Sequence, residues 1–180
     1  GCSGGGLGYY LKSQMHFKEV VGIENSQKAA EKAQQFFDKV FQGDACTIKL
    51  PNRYLSHFDV IVYADVLEHL YDPWKVVSAH KKFLKPEGYM LASIPNINNL
   101  FIILHLLLGR FDYTKLGLLD KTHIRFFTGS TAVEMFEQAG FTLVQFTRSL
   151  RDSQWHADLN AEHTVDKNVL SIYEKIYQKF

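Results

Sequence analysis

Residues 19–45, EVVGIENSQKAAEKAQQFFDKVFQGDA, decide the fold. Glu19 to Glu24 is a short apolar run closed by an acid, the pattern of a strand buried in a parallel sheet. Ser26 stands where a helix N-cap belongs, and Ala29, Ala30, Ala33, Phe36 and Phe37 recur at helical spacing through Asp38. Lys39 to Ala45 is a second strand ending in Gly-Asp. Strand, helix and strand with short connections predict a parallel pair.

The pattern repeats toward the carboxyl end. Phe58 to Val66 (FDVIVYADV) is the strongest strand in the chain, and Asp72-Pro73 opens a helix that runs to about Lys85. Pro86-Glu87-Gly88 reads as a turn, and Tyr89 to Ile94 as the next strand, stopped by Pro95. Asn98 to Leu108 predicts an apolar helix ending at Gly109, and Phe111 to Phe127 is irregular. Thr128 to Ala139 predicts a helix closed by Gly140, Phe141 to Leu150 a strand, and Val165 to Phe180 a last helix. The expected architecture is α/β: a Rossmann-like, doubly wound, mostly parallel sheet with helices on both faces. One domain over 1–180 is expected, with 97–127 inserted as a lid or acceptor pocket.

Composition narrows the function. Twenty basic and nineteen acidic residues leave a formal charge of +1, so no global field draws nucleic acid, and no nucleic-acid partner is expected. The apolar run Leu100 to Leu108 is about half of the roughly 20 residues a membrane span needs. Residues 98–110 nevertheless offer an interfacial membrane contact as one alternative to simple packing. Cys2 and Cys46 form no CxxC pair and read as reduced thiols, which suits a cytoplasmic protein. Oligomeric state leaves no mark on the sequence.

Ligands of open α/β sheets sit at the carboxyl ends of the strands. Three features fall at such ends: the opening loop GCSGGGLG, Glu24 and Asp44. An acid closing a strand can accept from both hydroxyls of a ribose and repels a 2′-phosphate. An acid at the end of the next strand can accept from an adenine amine, and a glycine loop lets the rest of a ligand approach closely. Two nucleoside cofactors meet that description. A nicotinamide dinucleotide wants G-x-G-x-x-G, whereas Ser3 occupies the middle slot in this chain, and the segment Asp65-Val66-Leu67-Glu68-His69-Leu70 follows the strongest strand.

GCSGGGLG, GIE, GDA, FDVIVYADVLEHLYDPW, FLKPEGYMLASIPN and THIRFFT…MFEQAGF together resemble the class I S-adenosylmethionine-dependent methyltransferases, nearest the type 11/12/23-like small-molecule branch. The resemblance spans Gly1 to about Leu150. It implies S-adenosyl-L-methionine as cofactor, with Gly1, Cys2, Ser3 and Gly5 along its methionine part. Glu24 with Asn25 would hold the ribose, Asp44 and Ala45 the adenine, and Ala64 with Asp65 the floor near the sulfonium. It also implies a first, central strand ahead of Gly1 and a last strand beyond Phe180, hence a break between the strands at 19–24 and 58–66.

Methyl transfer from a sulfonium is an in-line displacement that asks mainly for alignment and exclusion of water. His69 is the first candidate base and His123 the second candidate on the acceptor side, with Arg125 a candidate for an anionic group on a small-molecule acceptor. The other histidines show no ligand spacing with one another or with the cysteines, so no metal site is expected. A nicotinamide-dependent oxidoreductase and a non-catalytic module of the same fold remain as rivals.

Overall fold

The computed structural model describes residues 1–147. The chain divides into two compact units, Gly1–Tyr54 and Leu55–Phe180. The elements of the first are α1 (Gly6–Ser13), β1 (Val21–Glu24), α2 (Gln27–Ala33) and β2 (Lys39–Gln42); those of the second are β3 (Phe58–Ala64), α3 (Pro73–His80), β4 (Leu84–Ser93), α4 (Leu100–Leu107) and α5 (Gly129–Gln138).

In the first unit β1 and β2 run parallel, Val21 facing Lys39 and Glu24 facing Gln42. α2 forms the crossover and packs on both strands through Ala30 and Ala33, which meet Val40 in a small core. The Ser26 hydroxyl accepts from the Ala29 N–H at 3.4 Å, so the predicted cap is the observed one. α1 was not expected from the sequence, since Gly6 and Gly8 are poor helix formers. Its glycines answer to packing: a Cβ on Gly8 would lie 2.2 Å from the Phe37 ring. Gly5, at φ +95°, starts the helix in a backbone region that only glycine adopts freely.

The second unit repeats the theme. β3 and β4 are parallel, with α3 as crossover and the Asp72 carboxylate capping it on the Lys75 N–H at 3.1 Å. Pro86-Glu87-Gly88 is not a turn between elements: β4 already begins at Leu84, and these residues form an irregularity in its register between Phe58 and Val60. Tyr63, Leu67, Val76, Val77, Phe127 and Met135 make the core under α3 and α5. α5 starts on a reciprocal cap, Thr128 with Thr131. Residues 141–147 carry no strand, correcting that part of the expected strand at 141–150; residues 148–150 and the helix expected at 165–180 lie outside the described residues.

The architecture is Rossmann-like α/β, built from two βαβ units whose ladders are separate two-stranded sheets. Among the described residues no strand joins them, which is the break anticipated between residues 19–24 and 58–66. Val60, Ile61 and Val62 of β3 are half-buried, although their run reads as a strand covered on every side.

Candidate functional site

In the first unit the carboxyl ends of β1 and β2 gather the opening loop and both strand-end acids. The Cys2 N–H donates to the Ile23 carbonyl at 2.9 Å, tying the loop to β1. Glu24 then grips it on two sides: Oε2 accepts from the Ser3 N–H at 2.7 Å and Oε1 from the Ser26 N–H at 2.9 Å. One carboxylate therefore fixes the glycine loop and the entry to α2 together. Each oxygen keeps a second lone pair, so a diol can still be accepted.

The Gly43 N–H donates to the Glu24 carbonyl at 2.8 Å, which sets Asp44 beside that end of β1. Asp44 is exposed, and its Oδ1 accepts from the Cys46 N–H at 2.8 Å across Ala45. The Asn25 carbonyl accepts from the Gln42 side chain at 2.9 Å, closing the same edge. The residues proposed for the ribose and the adenine thus share one end of one ladder. The glycines serve packing as much as access: a Cβ on Gly5 would lie 3.0 Å from the Ala33 Cα, and one on Gly22 2.7 Å from the Cys2 sulfur. A groove of about 360 Å³ lined by Tyr9, Lys12, Phe36 and Asp38 lies at the opposite, amino end of β2, away from these acids.

In the second unit Ala64 ends β3 and Asp65 follows at φ +50°, a costly conformation for a residue with a side chain. It is held by its N–H on the Ser93 carbonyl at 3.1 Å and by the Ser93 hydroxyl on Oδ1 at 3.0 Å. The chain then makes a single turn, Leu67–His69, carrying Leu67 and Glu68 inward and His69 outward. The Glu68 carbonyl accepts from the Ile124 and Arg125 N–H groups, both at 3.0 Å, and so brings the 118–127 segment alongside.

That pairing sets His69 and His123 edge to face, with ring centroids 4.7 Å apart. His69 Nδ1 lies 3.1 Å from the Thr122 carbonyl, and His123 Nδ1 lies 3.1 Å from the Leu118 carbonyl. A carbonyl only accepts, so the hydrogen-bond network assigns a proton to Nδ1 of each ring. His123 is buried and turns Nε2 toward Glu68 Oε1 at 4.0 Å, too long for a hydrogen bond. Neither carboxylate oxygen of Glu68, a residue 1% exposed, has a hydrogen-bond partner. Burial pushes this carboxyl up to about 8, and the charge of Asp65 adds to the rise.

Arg125 spends Nε (2.9 Å) and Nη2 (2.5 Å) on the Tyr71 carbonyl and lies over the Tyr71 and Trp74 rings. Its guanidinium ties the start of α3 to the 118–127 segment. Glu68 and His69 are neighbours in the chain and both histidines are candidates from the sequence, but spacing gave no hint that His123 joins the pair, because it comes from a segment that only the fold brings alongside.

A family model described as a methyltransferase domain matches residues 1–146. The chain belongs to the methyltransferase domain family. Solved methyltransferases share its fold. An S-adenosylmethionine-dependent methyltransferase of Archaeoglobus fulgidus has 17% identity and a TM-score of 0.62, over 99% of this chain and 76% of its own. One of Thermotoga maritima has 20% identity and a TM-score of 0.59, over 79% of this chain and 61% of its own. One of Mesorhizobium loti has 17% identity and a TM-score of 0.54, over 79% of this chain and 72% of its own. The chain therefore spans about three fifths of the Thermotoga methyltransferase. None of the curated proteins compared with this methyltransferase domain matches it.

Proposed function

We propose that the protein moves a methyl group from S-adenosyl-L-methionine to an oxygen or nitrogen of a small-molecule acceptor. The observation that carries this reading is the double grip of Glu24, which locks the opening loop to the end of β1 and still has lone pairs for a diol. Asp44 at the end of the neighbouring strand supports an adenine beside it. Gly1, Cys2, Ser3 and Gly5 would run along the methionine part, with Asn25 and Ala45 flanking the nucleoside. Ala64 and Asp65 would supply the floor near the sulfonium. When bound, the cofactor brings an activated methyl carbon; this chain's residues bind it, orient it and keep water away.

His69, exposed and oriented by Thr122, is the acceptor-side residue that the geometry favours. His123 is buried against Glu68, so its part is to support that side rather than to meet the acceptor. Helix α4 and the residue after it expose Ile103, Leu106, Leu107 and Leu108, a surface suited to an apolar acceptor or an interfacial contact within the expected lid. Cys2 and Cys46 are not joined in a disulfide, which suits a reducing, cytoplasmic setting. Among the described residues no helix is long and apolar enough to cross a membrane.

Calorimetry with S-adenosylhomocysteine and with NAD tests the cofactor. The homocysteine compound should bind and NAD should not; tighter binding of NAD would turn the reading toward the oxidoreductase. Glu24→Ala should weaken S-adenosylhomocysteine by ~1–3 kcal/mol, the scale of leaving polar partners unpaired. Unchanged affinity would move the ribose elsewhere. Release of S-adenosylhomocysteine across a panel of hydroxyl and amine acceptors then identifies the acceptor class.

A further inference from the structure

We propose that Glu68, His69 and His123 form a binding site for a divalent first-row transition-metal cation of the zinc type. One ligand atom from each of these residues lies within 4.8 Å of the others. Bonds of about 2.1 Å place tetrahedral ligand atoms roughly 3.4 Å apart, so the three groups need to close by up to about 1.4 Å onto a shared ion. The exposed His69 ring and the Glu68 carboxylate, which no hydrogen bond holds, are the groups that would move.

Three independent features point to a cation. Both oxygens of a carboxylate that is 1% exposed are without a hydrogen-bond donor, and a buried carboxylate needs a positive partner. Both imidazoles have Nδ1 committed to a backbone carbonyl, Thr122 for one and Leu118 for the other. This leaves Nε2 of each ring as the ligating nitrogen, in the outer-shell arrangement that ligating histidines ordinarily show. The frame is rigid as well: Thr122 is itself held by Asp120 through its N–H and its hydroxyl, both at 2.8 Å, and the Glu68 carbonyl is bound twice by the facing segment.

Two imidazoles and one carboxylate are borderline donors, which favours zinc, iron, cobalt or nickel over magnesium or calcium. Three protein ligands leave at least one position for an outside oxygen, unlike a closed structural site. His69 is exposed, so an ion can enter from solvent. The site does not depend on methyl transfer. If the cation binds, the His69 lone pair serves it and is not available as a general base.

The test titrates Zn²⁺ and Mn²⁺ into chelator-stripped protein by calorimetry, with S-adenosylhomocysteine binding measured on the same samples. Stoichiometric zinc binding is expected, weakened at least about tenfold by His69→Ala and by Glu68→Gln. His16→Ala, outside the cluster, should leave it unchanged. Circular dichroism shows whether each variant is folded, and His69→Ala, an exposed change, keeps the test open if Glu68→Gln is not. Absence of zinc binding, or affinity unaltered by His69→Ala, overturns the site; in the first case the pair is a buried Glu68–His123 contact only. Zinc binding without S-adenosylhomocysteine binding would sink the methyltransferase reading and leave the metal site standing.

Discussion

Glu24 closes the ladder of one parallel strand and Glu68 lies in the turn that follows another, yet their surroundings are opposite. Glu24 is half-buried, and each of its oxygens accepts a backbone N–H. Glu68 is sealed from water, and neither oxygen accepts anything. The first carboxylate is complete as architecture and keeps spare acceptor capacity toward solvent, which suits an exchangeable ligand. The second is incomplete inside the chain and needs its partner from outside, or a proton. An acid's place in the fold therefore says less about its role than the count of donors aimed at it.

The contrast requires that the turn carrying Glu68 be held firmly, and the largest expected effect tests that. Leu67 is fully buried among Val76, Val77 and Phe127, one residue before the orphan acid. Leu67→Ala should lower stability to urea by about 2–5 kcal/mol, the range for emptying a packed site. A loss under about 1 kcal/mol would mean that the turn yields easily and that Glu68 finds partners by moving.

A paired amide substitution sharpens the comparison at a smaller scale. Glu24→Gln turns an amide donor toward the Ser3 or Ser26 N–H and should cost about 1 kcal/mol or more of stability. Glu68→Gln in chelator-treated protein removes no donor's acceptor and should leave stability unchanged or raise it. Urea midpoints of the two variants measured side by side decide the matter. Equal losses would show that Glu68 has an internal partner after all, and the contrast would fail.

Much of this was legible in the sequence. Ser26, Asp72 and Thr128 announced the starts of α2, α3 and α5, because capping is local chemistry between residues three apart. The strand-end acids were legible for the same reason. α1 was not, since its glycines are demanded by Phe37 and Ala33, contacts that local propensity does not contain. The start of β4 was hidden by Pro86 and Gly88, which read as a turn but sit in a register irregularity against β3. Phe141–Thr147 alternates like a strand and forms none, because alternation needs a neighbouring strand to become a ladder. The grouping of Glu68 with both histidines was invisible for a further reason: the Glu68 carbonyl, which any residue would possess, is what recruits the segment carrying His123.

Asp38 supplies the calibration between the two glutamates, with the smallest effect. Burial works against its charge, but Lys12 Nζ at 2.7 Å and the Val20 N–H at 2.7 Å outweigh it and hold the carboxyl below the usual carboxylate range. A carboxyl lowered on folding adds stability that is present above the unfolded value of 3.8 and fades as pH falls through the folded one. The Lys12 and Asp38 side chains are 35% and 38% exposed, so solvent screening keeps the contribution below about 1 kcal/mol. Asp38→Asn should therefore lower the urea midpoint slightly at pH 7 and have almost no effect at a pH acid enough to protonate the folded carboxyl. A loss of equal size at both pH values would assign Asp38 to packing. Carboxylates of this protein could then not be ranked by their donors, and the reading of Glu68 as an acid lacking its partner would lose its reference.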